Sequence, residues 1–350
     1  MTPAPRRSGL LDIIVLMGGT SSERDVSLAS GTRIAGALRA YGHRVRAVDP
    51  ARGPIAEAEQ QTLASGVVVQ TAPPSREALQ QMAREALPRM ASTLPRRGDA
   101  DVVFLGLHGG AGEDGTIQAM LDLAGVPYTG SGVIGSAIAM DKDVSKKLFR
   151  QAGVTTADWL MAPASVDEVR ATLGFPVIVK PSREGSTVGL SIVKQPGDLA
   201  TAIAEAARFD DEVMIEKFIP GRELTVAVIG NEALPVGEIF PKHEIYDYEC
   251  KYTAGMAHEE FPAKLSKDEA SRIQADAVRA FRALKLGGCA RIDFRMAADG
   301  SFHCLEANTL PGMTQTSLVP QAAAAAGIAF PTLCDRIARL ALERSGVAAA

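Results

Sequence analysis

Glu306 and Asn308 close the apolar run "FHCLEAN" two residues apart, just before Pro311-Gly312. Residues at i and i+2 of a strand share a face, so the carboxylate and the carboxamide look the same way. Upstream, Asp299-Gly300 separates two alternating runs in "ARIDFRMAADGSFHCLEAN", a hairpin signal because both positions tolerate positive φ. With Asp299 and Gly300 as the two turn residues, Asp293 falls opposite Glu306 and Arg291 opposite Asn308. The four form one polar patch, while Ile292, Phe294, Met296, Leu305 and Ala307 form a core face. Two opposed carboxylates repel unless a cation lies between them. Few, hard oxygen ligands suit Mg²⁺ holding substrate phosphates rather than a closed protein cage. From these two strands alone, a solvated surface hairpin reads the same.

Other segments bear on phosphate. "GAGEDG", Gly110 to Gly115, is a literal G-x-G-x-x-G after an apolar run, but Glu113 and Asp114 put two carboxylates where a pyrophosphate must sit. A Walker A loop is excluded, since the chain has no Gly-Lys dipeptide. "VKPSREGSTVG" offers Lys180, the hydroxyls of Ser186 and Thr187, and glycines that let backbone N–H groups approach an anion. Such a flap covers phosphates in kinases; an ordinary hairpin with an edge lysine has the same pattern. In "VMIEKFIPGRE", Glu216-Lys217-Phe218-Ile219 end an apolar strand where backbone groups can meet an adenine edge, and Glu223 can meet a ribose hydroxyl. Either glutamate reads equally as a solvated surface acid.

The elements that must position these residues alternate in the first third: strands at "LLDIIVLM", "RVRAVD" and "DVVFLGL", helices at "SLASGTRIAGALRAYG", within "SREALQQMAREALPRMA", and at "TIQAMLDLAG". That is an open parallel sheet, which binds ligands at the carboxyl ends of its strands. Residues 51–98 are weakly patterned. A second unit begins near Ser131 with the helix "KDVSKKLFRQAG", followed by two β-branched strands around the flap. A third begins near Gly221 with "ELTVAVIG" and "EALPVGEIF", passes a polar, tyrosine-rich loop, "EIYDYECKYTAG", and reaches the hairpin through the helix "SKDEASRIQADAVRAFRALKLG". The alanine-rich end from Gln321 reads as helix with a frayed tail.

At 350 residues the chain exceeds one small core. A net charge of -4 gives no reason to expect nucleic acid or an anionic membrane as partner. Cys250, Cys289, Cys304 and Cys334 show no C-x-x-C or Cys/His pairing of metal spacing and read as reduced and mostly buried, as in a cytoplasmic protein. The leader "MTPAPRRSGLLDIIVLMGG" has Asp12 in its apolar run and no small-residue cleavage site, so it reads as a leader and first strand rather than a signal peptide. No stretch approaches the ~18 uncharged apolar residues of a membrane span.

Taken in order, these pieces resemble the ATP-grasp ligases, and within them the D-alanine–D-alanine ligase family over nearly the whole length. The motifs are "LMGGTSSERDVSL", "LHGGAGEDGTIQ", "PYTGSG", "MDK", "VIVKPSREGSTVG", "IEKFIPGRE", "YDYECKY", "RIDF" and "LEANTLPGMTQTSLVP". The resemblance implies an α/β architecture of α+β ATP-grasp type: an N-terminal open parallel sheet domain (1–130), then central (131–219) and C-terminal (220–350) ATP-grasp subdomains. It implies that Lys142 and Lys180 meet ATP phosphates, that Glu216, Lys217, Phe218 and Ile219 form the adenine hinge, and that Glu223 meets the ribose. Asp293, Glu306 and Asn308 resemble ligands for two Mg²⁺ (or Mn²⁺) ions. Glu23 resembles the acid that receives the first D-alanine's ammonium, although a glutamate just before a helix more commonly serves as a first-turn charge. His108 resembles the histidine beside the first substrate, though a lone histidine there is more often a hydrogen-bonded loop residue. Ser317 and Leu318 resemble positions that bind the second substrate's carboxylate. Arg291 and the Gly312 N–H resemble stabilisers of the anionic intermediate. Tyr252 matches the lid tyrosine hydrogen-bonded toward Ser186 and Glu23 in dipeptide-forming members, whereas lactate-joining relatives carry a histidine in that loop; His243 reads as a solvated loop residue. The implied reaction joins two D-alanines through a D-alanyl phosphate, for peptidoglycan precursors, in a homodimer. A D-alanine–D-lactate or D-serine ligase is the alternative.

Overall fold

The run Asp12–Leu16, "DIIVL", is buried along its whole length because it lies between two neighbours in the first sheet. Arg44–Asp49 and Val102–Leu105 pair with it on either side, both parallel. A two-residue edge strand, Gly53–Pro54, adds antiparallel to Arg44–Asp49 and was hidden by the weak patterning of residues 51–98. The computed structural model describes residues 9–346 except 65–80, 83, 85–89, 91 and 254; the side chains of Ala64, Tyr248 and Tyr252 also lie outside the described set. Most of the helix expected within 75–91 falls outside it too.

Helix Arg24–Tyr41 covers this sheet together with the C-terminal helix Phe330–Ser345, and both share a core with Ala227, Ile229 and Cys289 of the last sheet. The first sheet is thereby packed onto the end of the chain. The alanine-rich end forms two helices, Leu318–Ala325 and Phe330–Ser345, with Gly327 at φ +76 between them.

Two antiparallel sheets follow. The first runs Trp159–Met161, Val213–Lys217, Val177–Pro181, Ser191–Val193. The second runs Ala257–Glu260, Gly237–Pro241, Arg222–Ile229, Cys289–Met296, Phe302–Asn308, with Glu232–Ala233 beside Arg222–Ile229. Helix Lys267–Ala283 packs on the latter through Ile273, Ala277, Ala280 and Phe281; Ser266 and Glu269 close a capping box at its start. The tyrosine-rich segment, expected as loop, contains a short helix, Tyr248–Tyr252, capped by Asp247.

The hairpin corrects the sequence expectation in an instructive way. Its turn holds three residues rather than two, with Ala297 N–H donating to Ser301 O and Gly300 at φ +78. Near the turn Phe294 therefore faces Cys304, one residue out of the expected register. A bulge at Leu305 adds the residue back, so Asp293 does face Glu306 and Arg291 does face Asn308. Phe302 and Cys304 take the core face, and Leu305, expected in the core, lines the cleft beside Glu306. Among the described residues, no helix is long and apolar enough to cross a membrane.

Candidate active site

Two adjoining cavities meet at this hairpin. The first lies between the antiparallel sheets and is walled by Ile178, Lys180, Phe218, Ile239, Asp293 and Glu306. The second lies between the flap and the first sheet, walled by Glu23, His108, Glu113, Arg291, Gly312 and Ser317. Ser186, Tyr246 and Lys251 line both.

The first cavity is organised by a helix start. Asp141 caps helix Lys142–Gln151 by accepting the Val144 N–H at 3.0 Å. Lys142 then opens the helix, and Lys146, four residues on, lies on the same face. Lys142 Nζ donates to Glu184 O at 2.6 Å and lies 3.5 Å from Glu306. Lys146 is fully buried and donates to Thr156 Oγ1 at 2.6 Å and to Glu216 Oε1. Glu216 also accepts from Lys180 Nζ at 2.7 Å. Burial alone would raise the Glu216 pKa, but Lys146 and then Lys180 overcome it and hold the group at about 2. Glu216 thus uses its side chain to fix Lys180, a role the hinge reading did not include. Lys146 was missed altogether; its four-residue spacing from Lys142 was the available signal.

Of the hinge, Lys217 N–H donates to Asp158 O and Phe218 N–H to Pro176 O. Ile219 lines the cavity, and its carbonyl accepts from Arg295 Nε at 3.1 Å. Arg295 also donates to Glu223 at 3.0 Å. Burial raises the Glu223 pKa, with Arg295 opposing.

On the hairpin, Asp293 accepts from Thr225 Oγ1 at 2.7 Å, from Arg291 Nε at 2.9 Å and Nη2 at 2.9 Å, and from Asn308 Nδ2 at 3.0 Å. Desolvation lowers the Arg291 pKa, but Asp293 more than restores it, so the guanidinium stays charged. Glu306 is held at about 2: burial opposes ionisation, yet Lys142, Lys251 and Lys180 outweigh it. Asn308, donating through Nδ2, keeps Oδ1 as an acceptor. An ionised carboxylate, a second carboxylate and an amide oxygen form the hard, all-oxygen donor set that fits Mg²⁺.

In the second cavity, Glu23 stands just before helix Arg24–Tyr41 but makes no side-chain cap. Its carboxylate instead accepts from Ser186 Oγ at 2.6 Å, tying the flap to the first sheet. Gly109, at φ +66, permits this approach, since a Cβ there would lie 2.9 Å from Glu23 Oε2. Ser186 and Thr187 hold positive φ, 49° and 59°, unusual for residues with a Cβ. His108 is buried, with Nδ1 2.8 Å from Leu310 O and Nε2 3.0 Å from Ser30 Oγ. A carbonyl only accepts, so Nδ1 carries the proton and Nε2 accepts from Ser30. Desolvation lowers the His108 pKa and keeps the ring neutral. Ser30 Oγ in turn accepts the Met313 N–H at 3.1 Å, which links His108 to the segment bearing Gly312.

Glu113, read from sequence only as an obstacle to pyrophosphate, stands in this cavity with its pKa raised to about 8, first by burial and then by Glu23. Ser317 Oγ accepts the Thr314 N–H at 2.9 Å, and Leu318 beside it is buried. Gly312 sits against Ser317, whose Oγ a Cβ would approach to 2.8 Å. Tyr252 ends the short helix Tyr248–Tyr252, and its side chain lies outside the described residues. Tyr246, which the sequence reading passed over, lines both cavities.

Known proteins point the same way. Residues 12–131 match the family model "D-ala D-ala ligase N-terminus", and residues 145–339 match "D-ala D-ala ligase C-terminus". The chain is 43% identical over 329 residues to D-alanine--D-alanine ligase of Anaeromyxobacter sp. (strain Fw109-5), covering 93% of this chain and 95% of that protein. It is 40% identical over 342 residues to the Halalkalibacterium halodurans ligase of the same name, covering 95% of this chain and all of that protein. Among solved structures, the Bacillus anthracis D-alanine--D-alanine ligase complexed with ATP matches with TM-score 0.72 at 31% identity, covering 96% and 99% of the two chains. The Coxiella burnetii ligase matches with TM-score 0.79 at 28% identity, covering 97% and 96%.

Proposed function

The chain belongs to the D-alanine–D-alanine ligase family and has its ATP-grasp fold, and from that premise we propose how its two cavities perform the ATP-dependent ligation of two D-alanine molecules. The carrying observation is the hairpin patch of Asp293, Glu306 and Asn308, which borders both the lysine-walled cavity and the cavity holding Glu23 and His108.

The first cavity takes ATP. Lys180, fixed by Glu216, and Lys142, tied to Glu184, present ammonium groups to the phosphates. Ile219 and the hinge carbonyls face the purine, and Glu223, steadied by Arg295, faces the ribose. Asp293, Glu306 and Asn308 would hold two Mg²⁺ or Mn²⁺ ions, which would supply charge neutralisation for phosphoryl transfer. Glu23, positioned by Ser186, receives the first D-alanine's ammonium, and His108 lies beside it with Nε2 occupied by Ser30. The substrate carboxylate displaces ADP from the γ-phosphorus to give D-alanyl phosphate. The amine of a second D-alanine, its carboxylate at Ser317 and Leu318, attacks the acyl carbon after losing a proton. Arg291 and the Gly312 N–H receive the oxyanion, and phosphate leaves. The lid segment with Tyr246 and Tyr252 shields the acyl phosphate from water.

This reading extends to domains at 1–130, 131–219 and 220–350, a cytoplasmic homodimer, and supply of dipeptide to peptidoglycan synthesis. The D-lactate or D-serine alternative has no supporting observation: the lid position is Tyr252, and all four ligases compared above are named for D-alanine. Incubating the protein with ATP, Mg²⁺ and equal D-alanine and D-lactate should give D-alanyl-D-alanine by mass spectrometry. Predominant depsipeptide, or no phosphate release dependent on D-alanine, would overturn it.

A further inference from the structure

The segment between strands Gly237–Pro241 and Ala257–Glu260 carries a cluster that the ligation does not use. His243 Nδ1 lies 2.7 Å from Asp247 Oδ2. The Cys250 thiol joins them, so that one potential ligand atom from each of the three residues lies within 4.8 Å of the others. Asp247 caps the helix Tyr248–Tyr252 through its other oxygen, Oδ1, which accepts the Cys250 N–H at 2.9 Å. The cap therefore fixes carboxylate and sulfur in one turn, leaving Oδ2 to His243.

Burial is graded across the cluster. Cys250 is buried, whereas the side chains of His243 and Asp247 are 39% and 32% exposed. The cluster is reachable from solvent on one side, where water can complete a fourth position. Mixed nitrogen, oxygen and sulfur donors favour a borderline ion such as Zn²⁺ over Mg²⁺, which takes oxygen. The spacing, His-x₃-Asp-x₂-Cys, matches no common zinc signature, and it is the fold that connects His243 with Cys250.

We propose that His243, Asp247 and Cys250 form a binding site for a divalent cation of the zinc class, and that occupancy pins this segment in place. Binding breaks the Cys250 S–H bond: the electron pair goes to the ion and the proton to water. Tyr246 and Lys251, carried by the same segment, line both cavities, so the pinning bears on the lid. Only that last consequence rests on the ligase reading.

The test is a titration of the full chain with Co²⁺, a spectroscopic surrogate for Zn²⁺, in excess Mg²⁺ to occupy oxygen-ligand sites. The expected result is a thiolate-to-cobalt charge-transfer band saturating at one ion per chain, with affinity reduced at least about tenfold in Cys250→Ser and in His243→Ala. Unchanged melting in the exposed His243→Ala variant keeps the comparison valid if Cys250→Ser proves unstable. No thiolate band in the wild type, or an undiminished band in a folded variant, overturns the site. Zn²⁺ should also slow amide hydrogen exchange across residues 243–252 by about tenfold or more, and binding without slowing overturns the pinning. Neither readout uses ATP or D-alanine, so both are independent of the ligation assay.

Discussion

Glu216, buried, and Glu113, partly buried, are carboxylic acids in the walls of adjoining cavities, and they are driven in opposite directions. Burial raises the pKa of both. Glu216 meets Lys146 and Lys180 and is held at about 2, whereas Glu113 meets Glu23 and rises to about 8. Near neutral pH one is a fixed anion and the other holds a proton. The difference teaches that burial sets the stakes and the neighbours set the sign. It also fits the proposed division of labour, in which Lys142 and Lys180 meet the polyphosphate and Glu23 meets the incoming ammonium.

The largest break in this contrast should come at the border. Glu306→Gln removes a full charge facing Lys142 and the proposed metal ions, and turnover should fall on the order of a thousandfold or more, given the several kcal/mol that metal-borne stabilisation supplies. The apolar face of the hairpin is untouched, so unfolding by denaturant should change little. Wild-type turnover at ordinary Mg²⁺ would remove the metal assignment.

Next is Glu216→Leu, which leaves Lys146 buried without its counter-ion. Breaking such a pair costs about 3–5 kcal/mol, measurable by urea unfolding. Adding Lys146→Met to it should recover much of the loss, because the stranded charge goes too. A double variant no more stable than the single would mean that the pair is not what holds this wall.

The two acids should also give opposite pH slopes. Glu216 has a folded pKa below its ordinary 4.5, so its contribution is present above pH 4.5 and is lost as pH falls toward 2. Glu113 has a folded pKa above 4.5, so its contribution is present below pH 4.5 and is lost as pH rises through about 8. In the ligand-free protein, Glu113→Gln should therefore flatten the decline in melting temperature between pH 5 and 8 relative to wild type. A decline of unchanged steepness would assign it to another group.

The smallest effect is expected at the seam. Ser186→Ala removes the hydroxyl bond to Glu23, worth about 1 kcal/mol. It should weaken D-alanine binding several-fold while leaving nucleotide affinity, measured by calorimetry, near wild type. Equal losses for both ligands would show that the flap serves the cavities jointly.

Much of this was legible in the sequence because strand patterning is local. The runs "DIIVL" and "RVRAVD" became the strands expected, and the residues opposed on the hairpin were named correctly. The reason given for that pairing was nonetheless wrong, because a three-residue turn and a bulge cancel. The available sign was a change of phase, with Phe302 and Cys304 buried on even numbers and Ala307 on an odd one. Lys146, whose spacing from Lys142 shows only a shared helix face, was missed, and Glu113 was read only as an obstacle to pyrophosphate, for a different cause. Their importance lies in who surrounds them, and Glu216 and Glu23 reach them only through the folded arrangement. Strand Trp159–Met161 is short and half-buried, which leaves no alternation to read.

The bulge at Leu305 makes strand Phe302–Asn308 two instruments on one string. The half nearer the turn keeps time with the core, and the half nearer Pro311 keeps time with the cleft, a beat apart. Exchanges among apolar residues at Phe302 or Cys304 can therefore accumulate over generations without retuning Glu306 and Asn308. Conversely, anyone transplanting this corner into another scaffold must carry the off-beat residue along, since a regular strand with the same two polar residues would play Glu306 into the core.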